Sequence, residues 1–225
     1  MASSRFLQGV WRVLIALAVF LFLPTGNVLL LWNPAFLAYE YRQPRVPGSE
    51  LYDPPARLRF AQETLRWVGS SDDLQVLRDL RYQGQPVYNE RELRHLADAR
   101  WVLERLRWVW RVAGVLGLGG LAVALWRPAW RRPFVRGVFL GSVLLLGVLA
   151  AILISALLDF DAFFYYFHKV FFVGDTGFFN WEDSLIQFYP LQFWMDATYI
   201  LGAATLVEGL LLGGLSYLCL RRGKR

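Results

Sequence analysis

The sequence predicts an all-α integral membrane protein with four transmembrane helices, and three observations support that prediction. Hydrophobic residues make up 56% of the 225 residues, and the mean hydropathy is +0.35. The apolar residues gather in four long runs, each near the roughly 20 residues that a helix needs to cross a bilayer. Arginines cluster beside those runs, which is the usual membrane-topology signal, so the formal charge of +6 does not indicate nucleic-acid binding.

The positions of the apolar runs divide the chain into five segments. Residues 1–32 hold the first span, 33–107 form a small helical extracytoplasmic domain, and 108–158 hold the second and third spans with a short basic cytoplasmic loop. Residues 159–197 form an extracytoplasmic interfacial segment, and 198–225 hold the fourth span and a basic cytoplasmic tail. A signal peptide competes for the first run, but that run is long and no small-x-small cleavage site follows it.

The extracytoplasmic domain opens with a proline-rich stretch. Asn33–Pro55 carries five prolines and Gly48, a density that excludes regular helix and central strand. We therefore predict an extended segment or a linker there. Helical spacing of apolar residues returns from Pro55 to Arg81, where Ser70 or Ser71 can cap a second short helix.

A longer helix is predicted to begin after Asn89. This residue is a good helix cap, and Glu92 three positions later completes a capping box. Residues three and four apart are neighbours on a helix, so His95 and Asp98 share one face and are expected within reach of each other. The helix continues into the apolar run Val109–Trp126, the second span. Its packed stripe consists of Leu96, Leu103 and Leu106.

Basic clusters set the predicted topology. A short, purely basic loop precedes the third span, Phe134–Leu158, and a basic tail follows the fourth, Tyr199–Leu220. The positive-inside rule puts both clusters, together with Arg5, in the cytoplasm. The extracytoplasmic domain and the interfacial segment then lie together on the outer side. The chain's only two histidines, His95 and His168, therefore share one face, which predicts an outward-facing site.

The interfacial segment is too polar to span a bilayer and too apolar for an ordinary loop. Phenylalanines and tyrosines surround His168 in Phe163–Pro190, with Asp175, Glu182 and Asp183 among them. Aromatic rings of this kind settle at the headgroup level of a membrane. A polar site at that depth would meet lipid headgroups.

The sequence lacks the motifs that are typical of metal sites and of serine or cysteine hydrolases. A metal site made of His95, His168 and either Asp98 or Asp175 remains a rival interpretation, but no H-E-x-x-H or paired-cysteine spacing supports it. No G-x-S-x-G motif is present, and the single cysteine, Cys219, lies in the last span, so a serine or cysteine hydrolase is not indicated. These features favour histidine acid/base chemistry without a protein nucleophile.

Glu208 is an acid in the middle of the last span. An intramembrane acid is a functional candidate by default. A structural hydrogen bond to a neighbouring helix is the favoured interpretation, because no other charge lies at a similar depth.

Three motifs resemble the bacterial lipoprotein intramolecular transacylase family in order and topology. They are N-E-R-E-L-R-H-L-A-D-A-R at Asn89–Arg100, F-H-K-V-F-F-x-x-D-T-x-F-F at Phe167–Phe179, and D-S-L-I-Q-F-Y-P-L-Q-F-W-M-D at Asp183–Asp196. A two-span hairpin separates the first motif from the second, and the resemblance covers nearly the whole chain. One departure is Gly177, where the family pattern favours tryptophan.

The resemblance implies an enzyme that acts on diacylated bacterial lipoproteins. It would move the acyl chain at the sn-2 position of the diacylglyceryl group to the α-amine of the lipoprotein's own N-terminal cysteine, which gives a lyso-form lipoprotein. The family works at the outer face of the bacterial cytoplasmic membrane, in contact with membrane lipids. We expect a monomer that needs no cofactor and no metal.

Histidine chemistry suits such a transfer, because aminolysis of an ester needs a base. We expect His95 to be the base, oriented by Asp98, while His168 polarises the ester carbonyl or donates to the leaving glyceryl oxygen. The opposite assignment stays open. Four residues are expected to support the site: Glu92, Arg100, Asp175 and Asp183. Six more are expected to bind acyl chains or headgroups: Phe167, Phe171, Phe172, Phe178, Phe179 and Trp181.

Two other function classes remain as alternatives. In the first, the chain is a non-enzymatic four-span protein whose outer domain binds a partner, with structural histidines. In the second, it is a metal-dependent membrane hydrolase.

Overall fold

The computed structural model describes residues 2–172, Gly177 and 179–222, with side chains from residue 5 onward. Its described part is mainly helical, with one short antiparallel hairpin. In chain order the elements are α1 (Ala2–Leu31), α2 (Pro34–Glu40), α3 (Pro54–Val68), α4 (Gln75–Arg78), β1 (Arg81–Tyr82), β2 (Gln85–Pro86), α5 (Glu90–Trp126), α6 (Pro128–Leu158), α7 (Phe160–Phe171), α8 (Ser184–Phe188) and α9 (Leu191–Arg222).

Four helices, α1, α5, α6 and α9, are long and apolar enough to cross a membrane. This confirms the all-α class and the four predicted apolar spans. The residues Met1–Val28, Leu106–Ser155 and Ile200–Arg225 form one compact unit. Within it α1 and α6 approach so closely that a Cβ added at Gly141 would lie 2.5 Å from the Ala16 carbonyl oxygen. Small residues permit such close helix packing in membranes.

A polar contact links the first and last of these helices. The Asn27 side-chain amide on α1 donates to the Thr205 hydroxyl at 3.0 Å and to the Glu208 carboxylate at 2.9 Å, both on α9. Glu208 therefore makes the interhelical hydrogen bond that its sequence position suggested. Such bonds satisfy polar groups that hydrocarbon cannot solvate.

Helix α5 changes character halfway along. Nine of the eighteen residues 90–107 are Asp, Glu or Arg, whereas Arg111 is the only charged residue in 109–126. The second half is therefore the membrane-spanning segment, and the first half is too highly charged to lie in hydrocarbon. His95 belongs to the charged half.

A second compact unit consists of Leu29–Arg105 and Ala156–Tyr199. Its core is aromatic and aliphatic, and the segment around α8 packs on α3. The Tyr189 hydroxyl donates to the Ala61 carbonyl at 2.6 Å, and Arg57 Nε donates to the Gln187 carbonyl at 2.7 Å. The most deeply buried side chains of this core include Leu37, Phe60, Val68, Leu77, Leu93 and Phe188.

The prediction that Asn33–Pro55 lacks regular helix is wrong for its first part, where α2 forms. Asn33 is the N-cap of this helix, and its side chain accepts a hydrogen bond from Phe36 N at 2.9 Å. Pro34 occupies the first helical position, where its missing N–H has no intrahelical partner to lose and its fixed φ suits a helix. The prediction counted the prolines of the whole stretch, but a single proline at the first helical position favours a helix.

Helix α3 is capped by Asp53, whose carboxylate accepts from Ala56 N at 2.8 Å. The sequence suggested that Ser70 or Ser71 caps the short helix α4, but neither serine does so. The N-cap is Leu74, which makes no side-chain cap hydrogen bond, and Asp73 Oδ1 accepts from the backbone N–H of Gln75 at 2.7 Å. These serines lie too far before α4, which begins later than expected.

The hairpin of β1 and β2 was not predicted. Arg81 pairs with Pro86 and Tyr82 with Gln85, and the two turn residues have positive φ, 51° at Gln83 and 82° at Gly84. A two-residue turn with positive φ at both positions joins antiparallel strands. Strands of two residues are too short to show an alternating sequence pattern.

Candidate active site

His95 lies in the charged half of α5, about one turn after a well-defined helix start. The capping box is confirmed: Glu92 accepts a hydrogen bond from Asn89 N at 2.9 Å, and Asn89 Oδ1 accepts one from Glu92 N at 3.0 Å. The second oxygen of Glu92 accepts from Leu185 N of α8 at 2.9 Å. The buried Glu92 carboxyl therefore ties the start of α5 to α8.

His168 lies in the last turn of α7. That helix is capped by Asp159, which accepts from Ala162 N at 2.9 Å. His168 Nδ1 lies 2.8 Å from the carbonyl oxygen of Phe164, one turn earlier. A carbonyl can only accept, so Nδ1 carries the proton in neutral His168. The lone pair is therefore on Nε2.

The structure brings the two histidines face to face. Their ring centroids lie 6.0 Å apart and their planes differ by 17°. Each ring nitrogen lies only about 1.2 Å from its centroid, so the gap is too wide for a direct hydrogen bond of about 3 Å between nitrogens. A small reacting group could therefore contact both imidazoles.

Aromatic rings enclose the pair. Phe172 lies 4.5 Å from His95 and 5.3 Å from His168, between centroids. Phe179 meets His95 edge-on at 5.1 Å, and Phe164 packs on His168 at 4.2 Å. Two of the predicted lipid-binding rings, Phe172 and Phe179, thus contact the histidines directly.

This apolar surrounding keeps both imidazoles neutral. Burial lowers the pKa of His95 to about 4, with a smaller contribution from the neighbouring His168. Burial also lowers the pKa of His168, partly opposed by its hydrogen bond to the Phe164 carbonyl. At neutral pH each ring therefore has one N–H and one lone pair, as a base or a neutral donor requires.

Asp98 was predicted to orient His95 through one ring nitrogen, and that nitrogen is not Nδ1. His95 Nδ1 is buried and has no hydrogen-bond partner in the described part of the chain. The two residues share a helix face, but sharing a face does not bring the carboxylate to that nitrogen.

Arg100 lies away from the histidine rings. Its guanidinium donates to the Trp67 carbonyl at 2.9 Å and to the Asp72 carbonyl at 2.7 Å, and it stacks on the Trp67 ring at 3.4 Å. It therefore holds the loop after α3.

Asp183 is close to the site but does not contact a histidine. Its carboxylate accepts from Asn89 Nδ2 at 2.8 Å, Asn180 N at 2.6 Å and Arg91 Nη2 at 2.5 Å. Arg91 in turn lies over the Phe179 ring at 5.4 Å. Asp183 thus anchors Asn180, which follows Phe179 in the chain, and Arg91, which lies over the Phe179 ring.

The remaining predicted lipid-binding residues are partly exposed. Phe167 and Phe171 pack against each other with ring centroids 4.8 Å apart and are each about two-fifths exposed, and the Phe167 ring also lies 5.7 Å from the His168 ring. Trp181 is half-exposed, and its indole N–H donates to Glu50 at 3.3 Å. Asp175 and Phe178 lie outside the described residues.

Gly177 approaches the site more closely than any side chain would permit. A Cβ at this position would lie 2.8 Å from His168 Cδ2. The backbone after α7 therefore rests on the imidazole, and the departure from the family's tryptophan coincides with this contact.

Sequence reasoning missed two groups at the site. The Phe164 carbonyl gives no sequence signal beyond its position four residues before a histidine on a helix. Arg91 lies four residues before His95 and so shares its face, which the same helical spacing could have shown.

The described residues contain no cluster of three or more His, Cys, Asp or Glu side chains suited to a metal ion. One residue of the rival metal set, Asp175, lies outside them. The metal interpretation therefore needs a direct measurement.

Solved structures share this fold over almost their full length. An in meso structure of the membrane integral lipoprotein intramolecular transacylase Lit from Bacillus cereus has a TM-score of 0.64 at 20% identity, and the match covers 100% of this chain and 98% of that one. A structure of the same protein with a histidine replaced by alanine has a TM-score of 0.67 at 16% identity, covering 99% and 96%. At these identities the likeness shows the fold alone.

Sequence relationships are more informative. A protein of Aquifex aeolicus (strain VF5), described as uncharacterized, is 25% identical over 210 residues, which cover 88% of this chain and 90% of that protein. The family described as lipoprotein intramolecular transacylase Lit matches residues 13–194. That range includes His95, His168 and every element from α2 to α8. The chain therefore belongs to the lipoprotein intramolecular transacylase Lit family.

Proposed function

We propose that His95 and His168 together perform the acyl transfer for which this family is named. As a family member, the chain is a multi-pass membrane acyltransferase, a lipoprotein intramolecular transacylase. One observation supports the residue assignment above all others. The chain's only two histidines lie with ring centroids 6.0 Å apart inside an aromatic cluster.

The proposed reaction is an internal aminolysis of an ester. The α-amine of the lipoprotein's N-terminal cysteine attacks the carbonyl carbon of the sn-2 ester. A C–N amide bond forms, the ester C–O bond breaks, and the proton lost by the amine ends on the sn-2 glyceryl oxygen. The α-amine has a pKa near 8, so a base that removes this proton accelerates the attack at neutral pH.

His168 suits the role of base better than His95. Its Nδ1–H is bound to the Phe164 carbonyl, which leaves the Nε2 lone pair to accept the amine proton. His95 then interacts with the ester or the leaving glyceryl oxygen, as a neutral imidazole donor can. This is the reverse of the assignment favoured from the sequence, which relied on Asp98 orienting His95.

The aromatic cluster would hold the substrate in register. Phe167 and Phe171 are partly exposed next to His168 and offer apolar surface to acyl chains. Because amine and ester belong to one molecule, fixing their relative position removes much of the entropic cost of the reaction.

We propose that the site faces outward from the bacterial cytoplasmic membrane, with both termini in the cytoplasm. This orientation is supported through the positive-inside rule by the basic residues at one end of the spans: Arg127 between α5 and α6, Arg131, Arg132 and Arg136 near the start of α6, and Arg221 and Arg222 at the end of α9. The substrates would be diacylated lipoproteins, and the working unit a monomer.

Tandem mass spectrometry of a diacylated lipopeptide would test the reaction. After incubation with the purified protein we expect an N-acyl, S-monoacylglyceryl peptide of unchanged total mass. His95→Gln and His168→Gln should both abolish its formation while thermal unfolding in detergent stays close to that of the unmodified protein. A peptide that keeps its diacylglyceryl group and free amine would overturn the proposal.

The same assay distinguishes the alternatives. Full activity in EDTA, with no protein-bound metal by elemental analysis, would remove the metal-dependent hydrolase. Acyl transfer that survives both histidine substitutions would show that the histidines are structural.

A further inference from the structure

Two buried polar atoms at the site have no hydrogen-bond partner in the described part of the chain: His95 Nδ1 and Arg91 Nε. Residues four apart are neighbours on a helix, so these side chains share one face of α5. Both lie against the same ring, since Phe179 is 5.1 Å from the His95 ring and 5.4 Å from the Arg91 guanidinium carbon. A buried N–H without a partner is costly and needs an explanation.

Other contacts hold the Arg91 guanidinium in place without using this donor. Its Nη2 donates to Asp183 at 2.5 Å. Asp183 is itself fixed by Asn89 Nδ2 at 2.8 Å and by Asn180 N at 2.6 Å. Nη2 is therefore anchored to Asp183, while the Nε–H of the same guanidinium has no partner in the described part of the chain.

We propose that Arg91 Nε–H donates to the carbonyl oxygen of the ester as negative charge develops on it. The proposal rests on the proposed function. When the amine nitrogen bonds to the ester carbon, the carbonyl electron pair moves to oxygen. When the C–O bond to glycerol breaks, that pair returns and re-forms the carbonyl. A buried N–H on a cationic side chain that is already held in place stabilises this oxyanion, since it needs no reorganisation during the reaction.

This role divides the chemistry among three side chains. His168 takes the amine proton and returns it to the leaving glyceryl oxygen, Arg91 stabilises the carbonyl oxygen, and the neutral N–H of His95 donates a hydrogen bond to the glyceryl oxygen. Proton transfer, stabilisation of the oxyanion and support of the leaving oxygen then each have their own group.

Arg91→Lys is the informative variant. Lysine keeps the positive charge and can still pair with Asp183, but it has no donor at the Nε position. We expect kcat to fall on the order of 10²-fold, as when one oxyanion donor is removed, with KM changed less than about threefold. Arg94→Lys is the matched control, because Arg94 is exposed on the same helix. It should keep unmodified activity.

A second measurement separates a chemical role from a structural one. A lipopeptide with a phosphonate in place of the sn-2 ester carries an anionic oxygen and mimics the intermediate. Its affinity should fall in Arg91→Lys by about the same factor as kcat, while affinity for the ester substrate stays unchanged. Arg91→Lys within about threefold of unmodified kcat, or an equal loss of affinity for ester and phosphonate, would overturn the proposal.

Failure of this proposal differs from failure of the proposed function. If the unmodified protein forms no N-acyl product, or if the two histidine variants stay active, the proposed function fails. If the histidine variants are inactive and Arg91→Lys is active, only the Arg91 assignment fails.

Discussion

The start of α5 and the end of α7 each carry one histidine, and the surroundings hold the two imidazoles in different ways. His168 has its Nδ1 bound to the Phe164 carbonyl, so its tautomer is fixed by its own helix. His95 Nδ1 has no partner among the described residues and is enclosed by Phe172 and Phe179. The ring of His168 is therefore prepared to accept a proton at a defined atom, while no contact at Nδ1 within the described part of the chain fixes the tautomer of His95.

The difference suggests why a site with two histidines need not be symmetric. A base works best when its lone pair is already aimed. The contact with the Phe164 carbonyl gives His168 this property.

Replacing His168, the histidine whose tautomer is fixed, should have the largest effect on the rate of acyl transfer. His168→Gln removes the basic nitrogen while keeping a polar side chain of similar length, and we expect the single-turnover rate of acyl transfer to fall on the order of 10³-fold. Mass spectrometry of the lipopeptide product measures this rate. A rate within tenfold of the unmodified protein, in a variant that unfolds at the same temperature, would show that His168 is not the base.

Displacing the same ring should have a smaller effect. A Cβ at Gly177 would lie 2.8 Å from His168 Cδ2, so Gly177→Ala must move the imidazole or the backbone by a few tenths of an ångström. Misplacement of a reacting group lowers the rate, and we expect about a tenfold loss in kcat. Gly48→Ala is the matched control, because a Cβ there meets no atom within 4 Å. Equal rates in the two variants would contradict the prediction.

The pH dependence of folding stability should reveal the burial of both rings. Burial lowers both histidine pKa values from 6.5 in the folded state, to about 4 for His95. The unfolded chain therefore binds more protons below pH 6.5, so stability that is present above pH 6.5 is lost as the pH falls toward 4. Thermal unfolding in detergent should show Tm decreasing across this window.

His95→Phe supplies the control for that titration. Phenylalanine cannot take up a proton, so the decrease of Tm between pH 6.5 and pH 4 should be shallower in this variant. An identical slope would indicate that burial does not lower the pKa of His95 in the folded state.

The smallest effect is expected at Asp98. His95 Nδ1 lacks the carboxylate partner that the sequence suggested, so Asp98→Asn should change kcat less than about threefold. A loss near the 10⁴-fold that follows removal of the orienting aspartate from a catalytic triad would restore the sequence-based role of Asp98.

Local patterns predicted much of this molecule. The four spans follow from apolar runs of membrane length, and the start of α5 follows from the Asn89–Glu92 capping box, because both depend on residues near each other in the chain. The two histidines were also predicted to share a site, although that prediction relied on topology and gave no distance.

Long-range contacts account for what the sequence could not show. Asp183 reaches Arg91 and Asn89 across more than 90 positions, and Glu92 reaches Leu185 across 93. No periodicity links such residues, so Asp183 was expected to support the site without its partner Arg91 being named. Helical spacing also made Asp98 a neighbour of His95 without giving the hydrogen-bond geometry, so the orienting role of Asp98 stays a prediction.

The Asn27 contact has a consequence for how the protein is made. Its hydrogen bonds join residues 178 and 181 positions apart in the chain. During synthesis the first helix is therefore inserted long before its polar partner exists. Its amide must stay near the insertion machinery, lipid headgroups or water until α9 arrives, so this part of the bundle can close only after nearly the whole polypeptide has been translated.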